Sequence, residues 1–365
     1  MQLLRIDCLG YELRLEGSMA GTQELFWNNQ MVSQLEEDPG SNKESVHEFS
    51  LSDESQDREQ PAFICQLTTD LNWQPFKLNY ELKINGEVVN RSLLSEKDIE
   101  TQVVDRTEQP PRKIGFAGLF SLGFKLLKSA KVVKVLFAAG SLAAYTWLFS
   151  LPFAMALILC LVFHEYGHIK AMQYFGMKTK GIYLIPFVGG LALSDEKINT
   201  RWQDVVISLM GPFFGLTLSL GALVGYWLTG IEILGGIAAF NALLNLFNLL
   251  PVLPLDGGHV LKSITFSVNS AVGLVACVLG AAFGVYLSYS FGLALLGFLL
   301  AVGTIEILME WKGRHQSQLL PLDRKSQMFS TLWYSLTVGG LCAVIYVMGQ
   351  SSNQALGLPL KILGS

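Results

Sequence analysis

From residue 133 to residue 348 the chain is a succession of apolar runs, each close to the ~20 residues a helix needs to cross a bilayer. Seven can be marked, near 133–149, 151–175, 204–228, 231–252, 269–288, 291–310 and 328–348. Backbone polar groups in lipid must be paired internally, so runs of this length fold as membrane helices. The basic residues fix their direction. Lys134 stands at the head of the first run. Lys170, Lys178, Lys180, Lys197 and Arg201 lie between or at the edges of the second and third, and Lys262 lies between the fourth and fifth. Lys312, Arg314, Arg324 and Lys325 lie between the sixth and seventh, and only Lys361 falls on the other side. Cytoplasmic loops carry the excess of Lys and Arg, so this alternation predicts seven spans with the N-terminus cytoplasmic.

The remainder of the chain has the opposite character. Residues 1–112 hold 21 acidic and 10 basic side chains, net −11; residues 113–365 hold 9 and 16, net +7; together they give the formal −4. Charged residues make up 15% of the whole chain, against about 25% in a soluble domain. That deficit excludes an ordinary soluble enzyme. No basic patch with interleaved aromatics points to nucleic acid. The five cysteines are scattered and form no CxxC, which argues against a disulfide framework or a cysteine zinc site. The first residues, MQLLRIDCLGYELRLEG, lack the basic start and apolar run of a cleaved signal peptide.

Residues 1–106 read as a soluble β-sandwich or barrel-like domain. A hairpin turns at Leu9-Gly10, Phe63–Thr69 forms a strand, and Phe76–Ile84 pairs with Glu87–Val89 across Asn85-Gly86, the strongest short hairpin signal. The polar stretch 36–60 reads as a mobile loop, with His47 as a solvated loop histidine. Residues 107–132 read as a linker followed by a basic amphipathic helix on an anionic membrane surface. Residues 133–350 form the transmembrane domain and 351–365 a C-terminal tail. The fold class expected is therefore an α-helical polytopic membrane protein with an N-terminal all-β soluble domain. From size and the lack of targeting signals, the membrane expected is a bacterial inner membrane.

Ionisable residues inside a membrane helix are costly and mark function by default. The second run contains LVFHEYGHIKAM, with His164, Glu165 and His168. Positions i and i+4 share a helix face, so His164 and His168 can aim imidazole nitrogens at one cation. Glu165 can act on water beside it, which is the HExxH arrangement of two zinc ligands and a general base. Zinc needs a third protein ligand, and residues 169–194 contain neither His nor Glu. The ligand must come from another span. Asp256 is the only carboxylate between Glu232 and Glu306, and it sits in NLLPVLPLDGGH after two prolines and before two glycines. Proline breaks the helix and glycine permits unusual backbone angles, so the chain can turn this Asp inward.

HEYGH in one span with NLLPVLPLDGGH in a later one resembles the site-2 protease family of intramembrane zinc metalloproteases, over about residues 150–270. The resemblance implies one Zn²⁺ per chain on His164, His168 and Asp256, with Glu165 activating water. It also implies a re-entrant β-hairpin, for which the glycine-punctuated stretch from Gly181 to Leu193 is the candidate. An edge strand there would receive an unwound substrate by β-augmentation. Gly189, Gly190 and Asn248 are then candidate substrate contacts. His259 is read as a supporting or structural residue rather than a fourth ligand. Asn241, Asn245 and Asn248 form one polar stripe, either structural or functional. Glu306 is read as solvated near the interface, and the glycine runs 273–284 and 292–303 as helix-packing surfaces. The implied activity is hydrolysis of a peptide bond in or near a transmembrane segment of another protein. The partners expected are that protein substrate, the bilayer and a recruitment partner for the N-terminal domain. A non-proteolytic metal-binding scaffold and a transporter remain open alternatives.

Overall fold

The computed structural model describes residues 1–18, 21–36, 44–51, 63–102, 131–148, 150–185, 189–194, 196–290, 294–312 and 319–350. The expected linker and most of the amphipathic segment, residues 103–130, lie outside them, as does the tail 351–365. The chain divides into two compact units. One comprises Met1–Val104 with Ile198–Trp202 and Leu308–Gln327; the other comprises Asp105–Lys197, Gln203–Ile307 and Met328–Ser365.

The first unit is built from two four-stranded antiparallel sheets. One runs β1 (Gln2–Cys8), β2 (Tyr11–Gly17), β3 (Thr22–Trp27), β4 (Gln30–Glu36), and the other β5 (Glu44–Leu51), β6 (Phe63–Trp73), β7 (Phe76–Ile84), β8 (Glu87–Ser95). Both are meanders in sequence order. Their inward residues, Leu13, Leu15 and Leu25 from one and Leu67, Leu78 and Leu82 from the other, join a single apolar core. Each sheet closes with the same local grammar. Glu24-Leu25 and Glu81-Leu82 precede a register irregularity, after which the chain turns at Asn28-Asn29 and Asn85-Gly86. All four turn residues have positive φ (47°, 64°, 52° and 86°), as a two-residue hairpin turn matching strand twist requires.

The stretch 36–60 departs from expectation. Residues 44–51 are strand β5, and His47 is fully buried rather than solvated. Its Nδ1 lies 3.0 Å from Ser33 Oγ and its Nε2 3.3 Å from Gln23 Oε1. Gln23 in turn donates to Ser45 Oγ at 3.0 Å and accepts from Thr69 Oγ1 at 3.3 Å. The inward positions of β5 are Ser45, His47, Phe49 and Leu51, so half of its buried face is polar and its alternation is hidden from an apolar count.

A short helix, α1 (Glu96–Thr101), follows β8 with Ser95 and Asp98 forming a capping box. Segments from far along the chain complete this unit. Leu320 enters the apolar core, Thr200 and Leu320 form a parallel bridge, and Asn199 Nδ2 donates to the carbonyls of Ile99 and Gln102 at 3.1 and 2.8 Å, satisfying the C-terminal end of α1.

The second unit is helical. Its elements are α2 (Lys131–Leu148), α3 (Leu151–Tyr174), hairpin strands β9 (Thr179–Ile185) and β10 (Gly189–Ser194), α4 (Arg201–Thr229), α5 (Glu232–Asn248), α6 (Asp256–Val268), α7 (Ser270–Ser290), α8 (Ala294–Lys312) and α9 (Arg324–Gly349). Helices α3, α4, α7 and α9 are long and apolar enough to cross a membrane, and α5 is a shorter apolar helix. Strands β9 and β10 pair antiparallel, Gly190 opposite Leu184. Helix α2 supports β9, with Lys134 Nζ donating to Lys180 O at 2.5 Å and Ser141 Oγ to Leu184 O at 3.2 Å. Lys262, expected between the fourth and fifth runs, lies on the 13-residue helix α6 and is buried. Asp256 heads that helix, where a carboxylate is favoured by the exposed N–H groups of the first turn.

Candidate active site

The core of the helical unit holds three side chains that share one point. His164 and His168 stand one turn apart on α3, buried, with their Nε2 atoms 3.1 Å apart. Asp256 brings Oδ2 to 3.2 Å from His164 Nε2 and 3.6 Å from His168 Nε2. This is the only group of three or more His, Cys, Asp or Glu able to hold a metal ion among the described residues. The loop 249–255, with Pro251 and Pro254, ends α5 and delivers Asp256 at the start of α6. Two features hold that loop. Tyr334 on α9 donates its hydroxyl to Leu249 O at 2.5 Å. Gly280 on α7 and Gly303 on α8 lie directly against the carbonyls of Pro251 and Leu253, where a β-carbon would collide with backbone. The glycine runs therefore serve the loop that carries Asp256 as well as helix packing.

The other nitrogen of each imidazole is spoken for. His164 Nδ1 lies 2.7 Å from Asn245 Oδ1, and His168 Nδ1 lies 2.7 Å from the carbonyl of Ile207 on α4. Asn245 is oriented by its own amide, which donates to Asn241 O at 2.7 Å and to Asn241 Oδ1 at 3.0 Å. Asn241 is anchored on α4 through Gly215 O and Ser219 Oγ. An acceptor at each Nδ1 puts the proton there and leaves both Nε2 lone pairs pointing at Asp256. Metal-ligating histidines carry this kind of outer partner. Ligand atoms at 2.0–2.1 Å from a tetrahedral Zn²⁺ stand about 3.3 Å apart, and the three separations here bracket that value. Donor set, tautomer and spacing fit zinc.

Glu165, adjacent to His164, is buried at 5% exposure with Gly190 of β10 against its carboxyl end. Any side chain at 190 would overlap Glu165. Gly189, also on β10, has φ of +119°, a backbone conformation that favours glycine. Gly211 on α4 lies against both imidazole rings, and Gly167, between Glu165 and His168, lies against the backbone of Met210 and Gly211.

Other candidates fall elsewhere. His259 is outside the three-atom cluster and faces Asp204 Oδ1 at 3.7 Å and Glu306 Oε1 at 3.8 Å. Glu306, expected to be solvated, pairs with Lys262 Nζ at 2.6 Å. Asn248 ends α5 outside the bonded chain of Asn241, Asn245 and His164. Sequence reasoning named the asparagine stripe without singling out Asn245 as the residue that orients His164. The i, i+4 spacing of Asn241 and Asn245 was the available signal. A backbone carbonyl such as that of Ile207 leaves no mark in the sequence.

A membrane-type helical bundle with two imidazoles one turn apart and a carboxylate from a broken helix defines the class: an integral membrane protein with a metalloprotease-type centre. Residues 152–231 and 228–287 match the family model "Peptidase family M50", in keeping with the resemblance to the site-2 proteases. A Synechocystis protein (strain ATCC 27184 / PCC 6803 / Kazusa) named "Putative zinc metalloprotease sll0528" is 37% identical over 174 residues, 45% of each chain. Zinc metalloprotease MJ0392 of Methanocaldococcus jannaschii is 31% identical over 113 residues, 30% of this chain and 32% of that one. Stage IV sporulation protein FB of Bacillus subtilis is 23% identical over 176 residues, 44% and 59% respectively. The chain thus spans between about a third and three-fifths of the length of these relatives.

Proposed function

We propose that this protein is an intramembrane zinc metalloendopeptidase that cuts a peptide bond in or near a transmembrane segment of another protein. The observation that carries this reading is the convergence of His164 Nε2, His168 Nε2 and Asp256 Oδ2 beside a buried Glu165. The names of the relatives, zinc metalloproteases among them, support both the metal and the class of reaction. Seven membrane crossings with the N-terminus cytoplasmic, in a bacterial inner membrane, complete the proposal. The hairpin β9–β10 is then re-entrant.

His164, His168 and Asp256 would hold the ion. Zn²⁺, when bound, supplies Lewis acidity toward water and toward the scissile carbonyl. Glu165 takes the proton from the attacking water and returns it to the leaving amine, a general-base step worth about 10²–10⁴ in rate. Asn245 and the Ile207 carbonyl keep both imidazoles in the ligating tautomer. A helical substrate must unwind before its carbonyl is accessible, because helical hydrogen bonds occupy that carbonyl. Helix α2 already bonds two carbonyls of β9, which favours β10, the strand beside Glu165, as the edge that receives the extended substrate. Gly189 and Gly190 allow that close approach. A site that only stored or carried a metal would need the three ligands but not Glu165.

The test is a comparison of membrane-protein fragments between cells expressing the wild type and Glu165→Gln. The expected result is a set of fragments ending inside apolar spans that only the wild type generates. Identical fragment sets in the two strains overturn the proposal.

A further inference from the structure

Helix α6 carries more than Asp256. One and two turns further on it presents His259, Lys262 and Ser263, and each meets an ionised-type side chain from another helix. Asp204 of α4, 8% exposed, accepts from Ser263 Oγ through Oδ2 at 2.5 Å, and its Oδ1 stands 3.7 Å from His259 Nδ1. Glu306 of α8 stands 3.8 Å from the same nitrogen and 2.6 Å from Lys262 Nζ. His259 Nδ1 is buried and makes no hydrogen bond of its own. The cluster includes none of the three atoms that converge on the metal position. Charged groups are expensive in a membrane-embedded unit and are retained where they do something.

Helix geometry says what the cluster does. An α-helix turns about 100° per residue, so Ser263, seven residues after Asp256, lies within about 20° of its azimuth and about 10 Å along the axis. Fixing Ser263 therefore fixes the rotation of α6, and with it the direction in which Asp256 points. The loop 249–255 sets where α6 begins, with Gly257 and Gly258 packed against its backbone, and the Ser263–Asp204 bond adds a second attachment two turns further on. We infer that Asp204, acting through Ser263 with His259, Lys262 and Glu306 alongside, is a positioning residue that sets the reach of the Asp256 carboxylate toward the two imidazoles. This rests on the metal-site reading proposed above. It adds a residue that touches neither metal nor substrate.

The experiment measures Zn²⁺ affinity of the purified full-length chain by competition with a chelator, together with thermal unfolding of the metal-free protein. Asp204→Ala is expected to weaken Zn²⁺ binding about 10–100-fold, the usual cost of losing an outer partner of a metal ligand. Ser263→Ala, which removes one hydroxyl, is expected to weaken it about fivefold, with metal-free unfolding lowered only by the loss of one buried hydrogen bond. Asp204→Asn, which still offers Ser263 an acceptor, is expected to stay within about threefold of the parent. If Asp204→Ala fails to fold, Ser263→Ala decides. Affinity within twofold of the parent in Ser263→Ala, or Asp204→Asn as weak as Asp204→Ala, overturns the inference while leaving the metal site standing. A parent chain that binds no Zn²⁺ at all brings down the metal site itself, and this inference with it.

Discussion

The two units each bury histidine in a hydrogen-bonded network, and they use it differently. In the β-sheet unit both nitrogens of His47 find neutral side-chain partners, Ser33 and Gln23, and the network folds back on itself through Ser45 and Thr69. In the helical unit His164 and His168 each spend one nitrogen on an acceptor and turn the other toward a shared point that also receives a carboxylate. Burial of a histidine is therefore a poor marker of chemistry. Unspent lone pairs converging from separate elements are a better one, since they leave an electron-rich spot that only a cation can satisfy.

The contrast breaks most sharply at Glu165. Glu165→Gln should lower turnover about 10²–10⁴-fold yet leave zinc content at the wild-type level. Cleavage assays paired with elemental analysis check both halves, and loss of zinc would mean the glutamate helps hold the ion. Next in size is Asn245→Ala, which removes the acceptor from His164 Nδ1 and should weaken zinc binding about 10–100-fold. An unchanged affinity in a chelator titration would put His164 on a par with His47. His47→Ala removes a partner from buried Gln23 and half-buried Ser33 and should cost about 1–3 kcal/mol of stability in the β-sheet unit, with zinc affinity untouched. Thermal unfolding of the full chain reads the first effect; a drop in zinc content would mean that the loss reaches the metal position as well.

The smallest effect concerns pH. Burial, with the charge of Glu96 beside it, pushes the Glu100 carboxyl up to about 7, against the pull of Lys97. Burial and the charge of Asp323 likewise raise Glu96. A carboxyl whose pKa is raised by folding binds its proton more tightly in the native state. Its stabilising contribution is thus complete below about pH 4.5 and is lost as pH rises toward 7. Hydrogen exchange at the amides of α1, corrected for intrinsic rate, should show protection falling across that window, and Glu100→Gln should flatten the trend.

Much of this was legible in the letters. Long apolar runs, HEYGH and the isolated Asp256 between two prolines and two glycines each encode their structure locally, and Asn85-Gly86 announces its turn. What escaped has a common physical cause: partners supplied by distant chain. Strand β5 hides because its inward face carries Ser45 and His47, polar residues whose burial makes sense only once Gln23, Ser33 and Thr69 arrive from other strands. Helix α6 hides because Lys262 looks like a loop charge until Glu306 meets it. Leu320, more than 200 residues from β8, joins a core that no local pattern assigns to it.

Gly167 has a consequence for how such motifs are recognised. It occupies the fourth letter of the histidine-glutamate signature, a place formally open to any amino acid, yet the main chain of Met210 and Gly211 runs where its side chain would begin. Anything larger would wedge the two helices apart, and displacements of about 1 Å at a reacting centre can cost on the order of 10²-fold. In an architecture where the signature helix is clasped this tightly by its neighbour, the pentapeptide has one fewer degree of freedom than its shorthand implies, and a search that demands a small residue there should discard chance matches that the looser pattern admits.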